Sequence, residues 1–449
     1  MNSVHHNLKN KFSTATKWNL SGTIFFEALK LINQFFLLKN MELANYGKLG
    51  TIFSIIFLTI HLSGFEAENS IYPFISEITK SKNIFRSFFK NYIFLQILFL
   101  VTGATLSLLF LKNKFSLALL IVIFLLIIFE GLRILMRSAL YLLFLNKKTI
   151  LTESALTIAF IILSWAPTLI FHQSPTIFNI LLSYLITSII AVIIFLFFLS
   201  SYSYELENST EKLNTNFLKR IIKTRCLNSL IKSSSYFFSE NFLIPFFAFK
   251  FGFELAGVFK FASYIARSIK SIAHVIIGFT GGALLSNLKR ASLYAKQEAF
   301  LLISNQLNKI LFFILIFLII NYQNIFLPIY QSKTIILSST LFLFFIISEH
   351  LLTLYEQFYL VEEALNKLIT FKMLEFALLY LTLTLGKTLN PVEFFLMLLI
   401  IRMLIFVILA LNAYTLWKIK PNFKIQLKFL LITIAVSLIF LAATNLLRL

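Results

Sequence analysis

Apolar residues run through this chain in long blocks and do not alternate with polar ones. Blocks of roughly 20 apolar residues, the length of helix that crosses a hydrocarbon core, recur at 18–38, 47–65, 91–111, 116–137, 150–171, 177–200, 229–250, 256–285, 299–320, 335–357, 365–386, 392–417 and 426–446. In lipid each backbone group must be satisfied within its own segment, so every block is predicted to be a helix. The expectation is an all-α integral membrane protein of 12–14 transmembrane helices, with thirteen, twelve plus one, as the best count. The polar opening, 1–17, ends in no short apolar core with a small-residue cleavage site, so the first block is expected to stay as a span. No polar stretch is long enough for a separate soluble domain.

Composition agrees with this pattern. The 449 residues are 59% hydrophobic and only 13% charged, where soluble chains carry about 25% charge. The net charge of +21 would suggest nucleic acid in a soluble protein. Here the basic residues follow the spans instead. With the N-terminus inside, 26 of the 40 Lys and Arg fall on cytoplasmic segments and 7 outside. That is the positive-inside bias of a multi-pass protein, and it points away from nucleic acid. All 19 acidic residues are Glu, which removes Asp-based metal and catalytic motifs. Cys226 is the single cysteine, so no intramolecular disulfide is possible. The histidines His61, His172 and His350 show no metal-ligand spacing.

The longest polar stretch follows the sixth span and reads as a cytoplasmic linker, 201–227, between two six-helix lobes, 1–200 and 228–417, with 418–449 an extra C-terminal helix. The lobes look duplicated. Phe25-Phe26 leads to Glu42-Leu43-Ala44 and Lys48, and Phe237-Phe238 leads to Glu254-Leu255-Ala256 and Lys260, at a constant offset of 212. Six spans separate the copies, so they share one orientation, as in a parallel repeat about the membrane normal.

Charges within spans are costly, about 2.5–3.5 kcal/mol each at mid-bilayer on insertion scales, and so mark function or pairing. Thr23, Glu27, Lys30 and Gln34 share one face of the first span. That face lines a cavity, or else Glu27 and Lys30 simply pair. Lys260, Ser263, Arg267, Lys270 and His274 share a face of the eighth span with no Glu among them, so self-pairing fails there and an anionic guest is expected. Glu130, Arg133 and Arg137 near the end of span four read as an interfacial ion pair, with Glu130 and Arg133 kept as coupling candidates beside Glu27. Arg402 sits close to the middle of span twelve, and Glu349, His350 and Glu356 in span ten offer a proton relay.

Together, Trp18-Asn19-Leu20-Ser21-Gly22, the polar first span, Glu42-Leu43-Ala44-Asn45-Tyr46-Gly47, and the later Leu62-Ser63-Gly64-Phe65 and Ser70-Ile71 resemble the polysaccharide-exporter branch of the multidrug/oligosaccharidyl-lipid/polysaccharide (MOP) superfamily, the Wzx-type flippases. The family's leucine-glycine-leucine appears here as Leu62-Ser63-Gly64-Phe65, a departure. The motif likeness is confined to about residues 18–75. The resemblance implies a MATE-like fold, two lobes around a central cationic cavity, and alternating access. Its cargo would be a polyprenyl-diphosphate-linked oligosaccharide, such as an O-antigen repeat unit, moved across the cell inner membrane among membrane lipid and in company with other polysaccharide assembly proteins. It implies no catalytic residue, and no cofactor is expected. Substrate-binding residues would be Lys30, Lys48, Lys260, Arg267, Lys270 and Arg402. A lipid II flippase and a drug or cation antiporter of the same fold are the nearest alternatives, the second wanting an acidic cavity. A membrane-embedded glycosyltransferase or polymerase belongs to another class; it would want large outer loops and acidic catalytic residues, and this chain has short loops and no Asp.

Overall fold

A computed structural model describes residues 2–71, 74–172, 174–208, 215–274, 365–385 and 389–417, with single residues between 294 and 359. Among the described residues every regular element is a helix. Spans 299–320 and 426–446, the extra segment 418–449, and Glu349 and His350 lie outside them, wholly or in the main, as do the side chains of Lys270 and His274.

The first six blocks emerge as α1 (Asn2–Asn40), α2 (Leu43–Gly64), α5 (Lys82–Leu111), α6 (Leu117–Leu142), α7 (Asn146–Phe171) and α8 (Ile177–Glu205), with short α3 (Ala67–Ser70) and α4 (Ile75–Ile78) between α2 and α5. The polar opening is helical too: residues 2–17 contain neither Gly nor Pro to stop α1. In the later part run α9 (Thr215–Phe237), α10 (Glu240–Phe251), α11 (Phe253–His274), α12 (Leu365–Leu385) and α13 (Pro391–Trp417). Six described helices are long and apolar enough to cross a membrane: α2, α5, α6, α7, α8 and α13. Three that fall below that measure, α1, α11 and α12, carry the intramembrane charges Glu27 and Lys30, Lys260 and Arg267, and Lys372 and Glu375.

The seventh block is one span in sequence and two helices in space. The helix stops at Phe237 and restarts at Glu240; Ser239 stands just before the restart, a residue type favoured at helix N-caps. The restarted helix contains Pro245, which cannot donate to the turn before it. It ends at Gly252, whose φ of +100° no L side chain adopts comfortably. The polar linker is largely helical as α9, because one of its faces is buried on the preceding helices. Phe217, Ile221 and Arg225 repeat at helical spacing on that face.

The chain divides into two compact units. The first is Met1–Tyr236 with Asn241–Gly257; the second is Phe237–Glu240 with Val258–Leu449. Within the first unit α6 is central, packed on α2, α3, α5, α7 and α8. Within the second, α12 packs on α13, and Phe259 meets Phe342 and Phe395 ring to ring.

Backbones come closest where α2 and α11 begin. A Cβ on Gly47 would lie 1.7 Å from the Phe253 carbonyl oxygen, and one on Gly257 would lie 2.8 Å from that of Leu43. Gly47 and Gly257 are each the fifth residue of their helix, so the two helix starts cross through matched glycines.

Candidate functional site

Four groups of charged residues on the described spans concern function here, two per unit. In the first unit, Arg133 on α6 is buried at the centre of a network. Its Nε donates to Glu153 of α7 at 3.1 Å and its Nη1 to Glu130 at 3.2 Å, and its Nη2 also bonds Glu153. Glu130 accepts in addition from Tyr184 and Ser188 of α8, both at 2.8 Å. Arg137 stands 4.0 Å from Glu153. Three helices are thus tied by two carboxylates and two guanidiniums, a charge-balanced set with Glu130 fully engaged. Glu130 and Arg133 pair on α6 as their spacing suggested, and Glu153 extends that pair across helices. Glu153, which closes it, lies alone on α7 with no charged neighbour at helical spacing, so no local pattern marked it.

The second group lies along α1 and the start of α2. Lys30 donates to Glu27 at 3.3 Å, with the lysine side chain 46% exposed and the glutamate 15%. Farther along the same stripe, Gln34 is buried and accepts from Tyr46 of α2 at 2.9 Å. One end of the stripe is therefore packed against α2 and the other carries an exposed cation. Lys48 is half-buried, with its Nζ 5.7 Å from the centre of the Phe253 ring. Among the described residues no carboxylate stands within ion-pair distance of it.

In the second unit, Lys260 is 2% exposed and its Nζ lies 5.1 Å over the Tyr264 ring. About two turns further, Arg267 meets Glu240, the first residue of α10, with Nη2 at 2.6 Å and Nε at 3.2 Å from the same oxygen. The acidic partner missing from the face of α11 thus comes from the restart of the broken span, which sequence spacing within one helix cannot reveal. Lys270 sits on the same helix one turn later.

The fourth group mirrors the first. Lys372 of α12 bonds Glu356 and, at 3.0 Å, Glu375; Arg402 of α13 is 3% exposed and stands 3.7 Å from Glu375. The Arg402 guanidinium also lies over the rings of Phe238 and Phe345, at 4.9 and 4.8 Å. Two carboxylates again balance two cations, and Arg402 belongs to this cluster. Lys372 and Glu375 carried no expectation beyond topology, although their spacing of three on one span would have marked them. Among the described residues no group of three His, Cys or Glu is placed to hold a metal ion.

Comparison with known proteins adds the fold. No family model matches the sequence, and no curated protein matches it. Solved structures do. One described as MATE in complex with MaL6 aligns with a TM-score of 0.59 at 14% identity, over 91% of this chain and 96% of that one. An outward-facing multidrug resistance MATE transporter of the MOP superfamily aligns at 0.58 and 13%, over 91% and 96%. A MOP superfamily transporter from Pyrococcus furiosus, described as having a binding pocket of reversed polarity that suggests a different function, aligns at 0.55 and 13%, over 91% and 95%. This chain has the all-helical fold of the MATE transporters of the MOP superfamily.

Proposed function

We propose that this protein is a membrane exporter of an anionic lipid-linked substrate, a polyprenyl-diphosphate-linked oligosaccharide, carried from the inner to the outer leaflet of the cytoplasmic membrane by alternating access. The observation that carries this reading is Lys48. It is a cation on a span, set against an aromatic ring, with no carboxylate at ion-pair distance among the described residues. Its repeat mate Lys260 lies on the equivalent span of the other half, also against a ring. A cation kept in a span against its insertion cost is a functional feature, and the ligand that recovers the cost is an anion. Diphosphate is the anion that most needs such help, because its bare charge cannot enter hydrocarbon. Arg267 and Lys270 supply further positive charge along the span of Lys260, Lys30 adds one on the first span, and Arg267 can bind two oxygens at once. Arg402, inside its balanced cluster, acts on this reading by holding α12 and α13 together.

A drug or cation antiporter has the solved MATE structures in its favour, since one of those proteins is a multidrug resistance transporter. The polarity of the described groups favours the anion: Lys48 lies against the Phe253 ring, Lys260 against the Tyr264 ring, and Arg267 pairs with Glu240. The two readings separate by binding. Native mass spectrometry of the purified protein should show a polyprenyl-diphosphate-linked oligosaccharide bound in preference to ethidium. Lys48→Gln and Lys260→Gln should each weaken that binding by about tenfold, the worth of one hydrogen bond to a charged group. Preferential ethidium binding, insensitive to both substitutions, would favour the antiporter instead.

A further inference from the structure

The start of α5 and the end of α8 bring two cations onto one tyrosine ring. The Lys82 Nζ lies 4.4 Å and the Arg86 guanidinium 4.6 Å from the centre of the Tyr204 ring. The guanidinium is oriented from a second side, because its Nε donates to Ser203 Oγ at 3.1 Å. Two further contacts fix the end of α8 against the start of α5. Phe85 meets Tyr202 ring to ring at 5.7 Å, and the Lys82 backbone N–H donates to the Glu207 carbonyl at 3.0 Å. Glu205 and Glu207 are close in sequence, yet among the described residues neither carboxylate stands within ion-pair distance of Lys82 or Arg86. A positive-inside bias asks for cations at this end of a span. It does not ask for two of them gathered on one ring. The negative face of the ring offsets part of their mutual repulsion, and an anion between them offsets more.

Away from this pair the same surface turns apolar. Arg86, Lys90, Phe94 and Ile97 follow one another at spacings of 4, 4 and 3 on one exposed face of α5. Tyr204, Phe197 and Ile193 share one exposed face of α8, at spacings of 7 and 4. The two helices pack on each other. One begins at the cation pair and the other ends there, so both apolar lines lead from the pair into the span. Both helices are long and apolar enough to cross a membrane. The pair therefore stands where two spans leave the hydrocarbon, at the depth of lipid headgroups. Tyr204 itself is 67% exposed, so a headgroup can reach it.

We infer that Lys82, Arg86 and Tyr204 form a headgroup site for an anionic phospholipid, whose phosphate is held by the two cations and whose acyl chains follow Phe94 and Phe197 into the bilayer. Arg86 supplies the planar donor set that suits phosphate oxygens, Lys82 adds a compact charge, and Tyr204 keeps the two together. The bound lipid clamps the start of α5 to the end of α8. The site uses none of the cations assigned to the cargo, and the inference does not rest on the proposed function.

The test is native mass spectrometry of the full chain in detergent, with dioleoylphosphatidylglycerol as probe and zwitterionic dioleoylphosphatidylcholine as control. The wild type should hold phosphatidylglycerol in preference; equal binding of the two lipids would overturn the inference. Lys82→Gln, Arg86→Gln should weaken phosphatidylglycerol binding about thirtyfold, the worth of two basic residues at an anionic headgroup. Lys147→Gln, Lys148→Gln removes the same charge from exposed positions at the start of α7 and should leave binding nearly intact. Equal losses in the two double variants would show only the general field of the basic residues and overturn the site. Tyr204→Leu changes an exposed residue and no charge, so it should fold like the wild type. It should still weaken phosphatidylglycerol binding several-fold, because the two cations are no longer held together, and unchanged binding would overturn the role of the ring. Excess inorganic phosphate should not displace the lipid; displacement by it would assign the site to free phosphate. Displacement by equimolar farnesyl diphosphate would assign it to the exported lipid and likewise overturn the inference.

Discussion

Removing the carboxylate of Glu153 by Glu153→Gln is expected to destabilise the protein by about 3–5 kcal/mol, the cost of leaving a buried ion without its partner. Arg133 is buried and donates to both carboxylate oxygens of Glu153, and the amide offers one acceptor oxygen in place of two charged ones. Thermal unfolding in detergent, followed by the loss of soluble monomer, measures the effect. Lys48→Gln, by contrast, should leave the midpoint nearly unchanged, because no described carboxylate pairs with Lys48. The contrast separates two kinds of intramembrane charge that look alike in sequence. Arg133 and Arg402 sit in balanced clusters with Glu130 and Glu153, or Glu356 and Glu375. Lys48 and Lys260 are set against rings. A stripe of charge on one helix says that the face is special, but the group that answers it comes from another helix. Glu153 and Glu240 were invisible for that reason, each standing alone on its own segment.

At the scale of elements, most helices were legible because length and hydropathy suffice to define a span. Predicted spans 47–65, 177–200, 365–386 and 392–417 correspond to α2, α8, α12 and α13 with ends shifted by a few residues. The misses have local causes. The seventh block reads as continuous because Phe237 to Phe251 is apolar apart from Ser239, Glu240, Asn241 and Lys250, and hydropathy cannot see a restart. The linker carried no expectation of a helix because its cations dominate its composition, yet Phe217, Ile221 and Arg225 give it a face to bury. The matched glycines at the starts of α2 and α11 are a further feature of elements that the sequence marks only faintly. Gly47→Ala would place a methyl group 1.7 Å from the Phe253 carbonyl oxygen, and since that obstacle is backbone, the helices must separate. Overpacking of this kind costs about 1–3 kcal/mol. The expected result is a lower unfolding midpoint for Gly47→Ala. Ala44→Gly, three residues earlier on the same helix start, should be milder because it only removes a methyl group, and equal stability of both variants with the wild type would contradict a tight crossing.

For the whole molecule, the comparisons show a MATE-type fold. The fold alone is shared by transporters of different cargo, so function must be argued from the groups on the spans. Buried ion clusters tie α6, α7 and α8 in one unit and α12 and α13 in the other. The cations on α1, α2 and α11 lie outside these two clusters, and on the proposed function they are the ones that meet the cargo. The most direct measurement is leaflet exchange in proteoliposomes that contain a fluorescent polyprenyl-diphosphate-linked oligosaccharide, followed by quenching of the outer leaflet. The wild type is predicted to speed the exchange over protein-free vesicles, and the Lys48→Gln, Lys260→Gln double variant is predicted to lose most of that rate. Exchange by the double variant at the wild-type rate, or a wild type that moves ethidium and leaves the lipid-linked sugar in place, would contradict it.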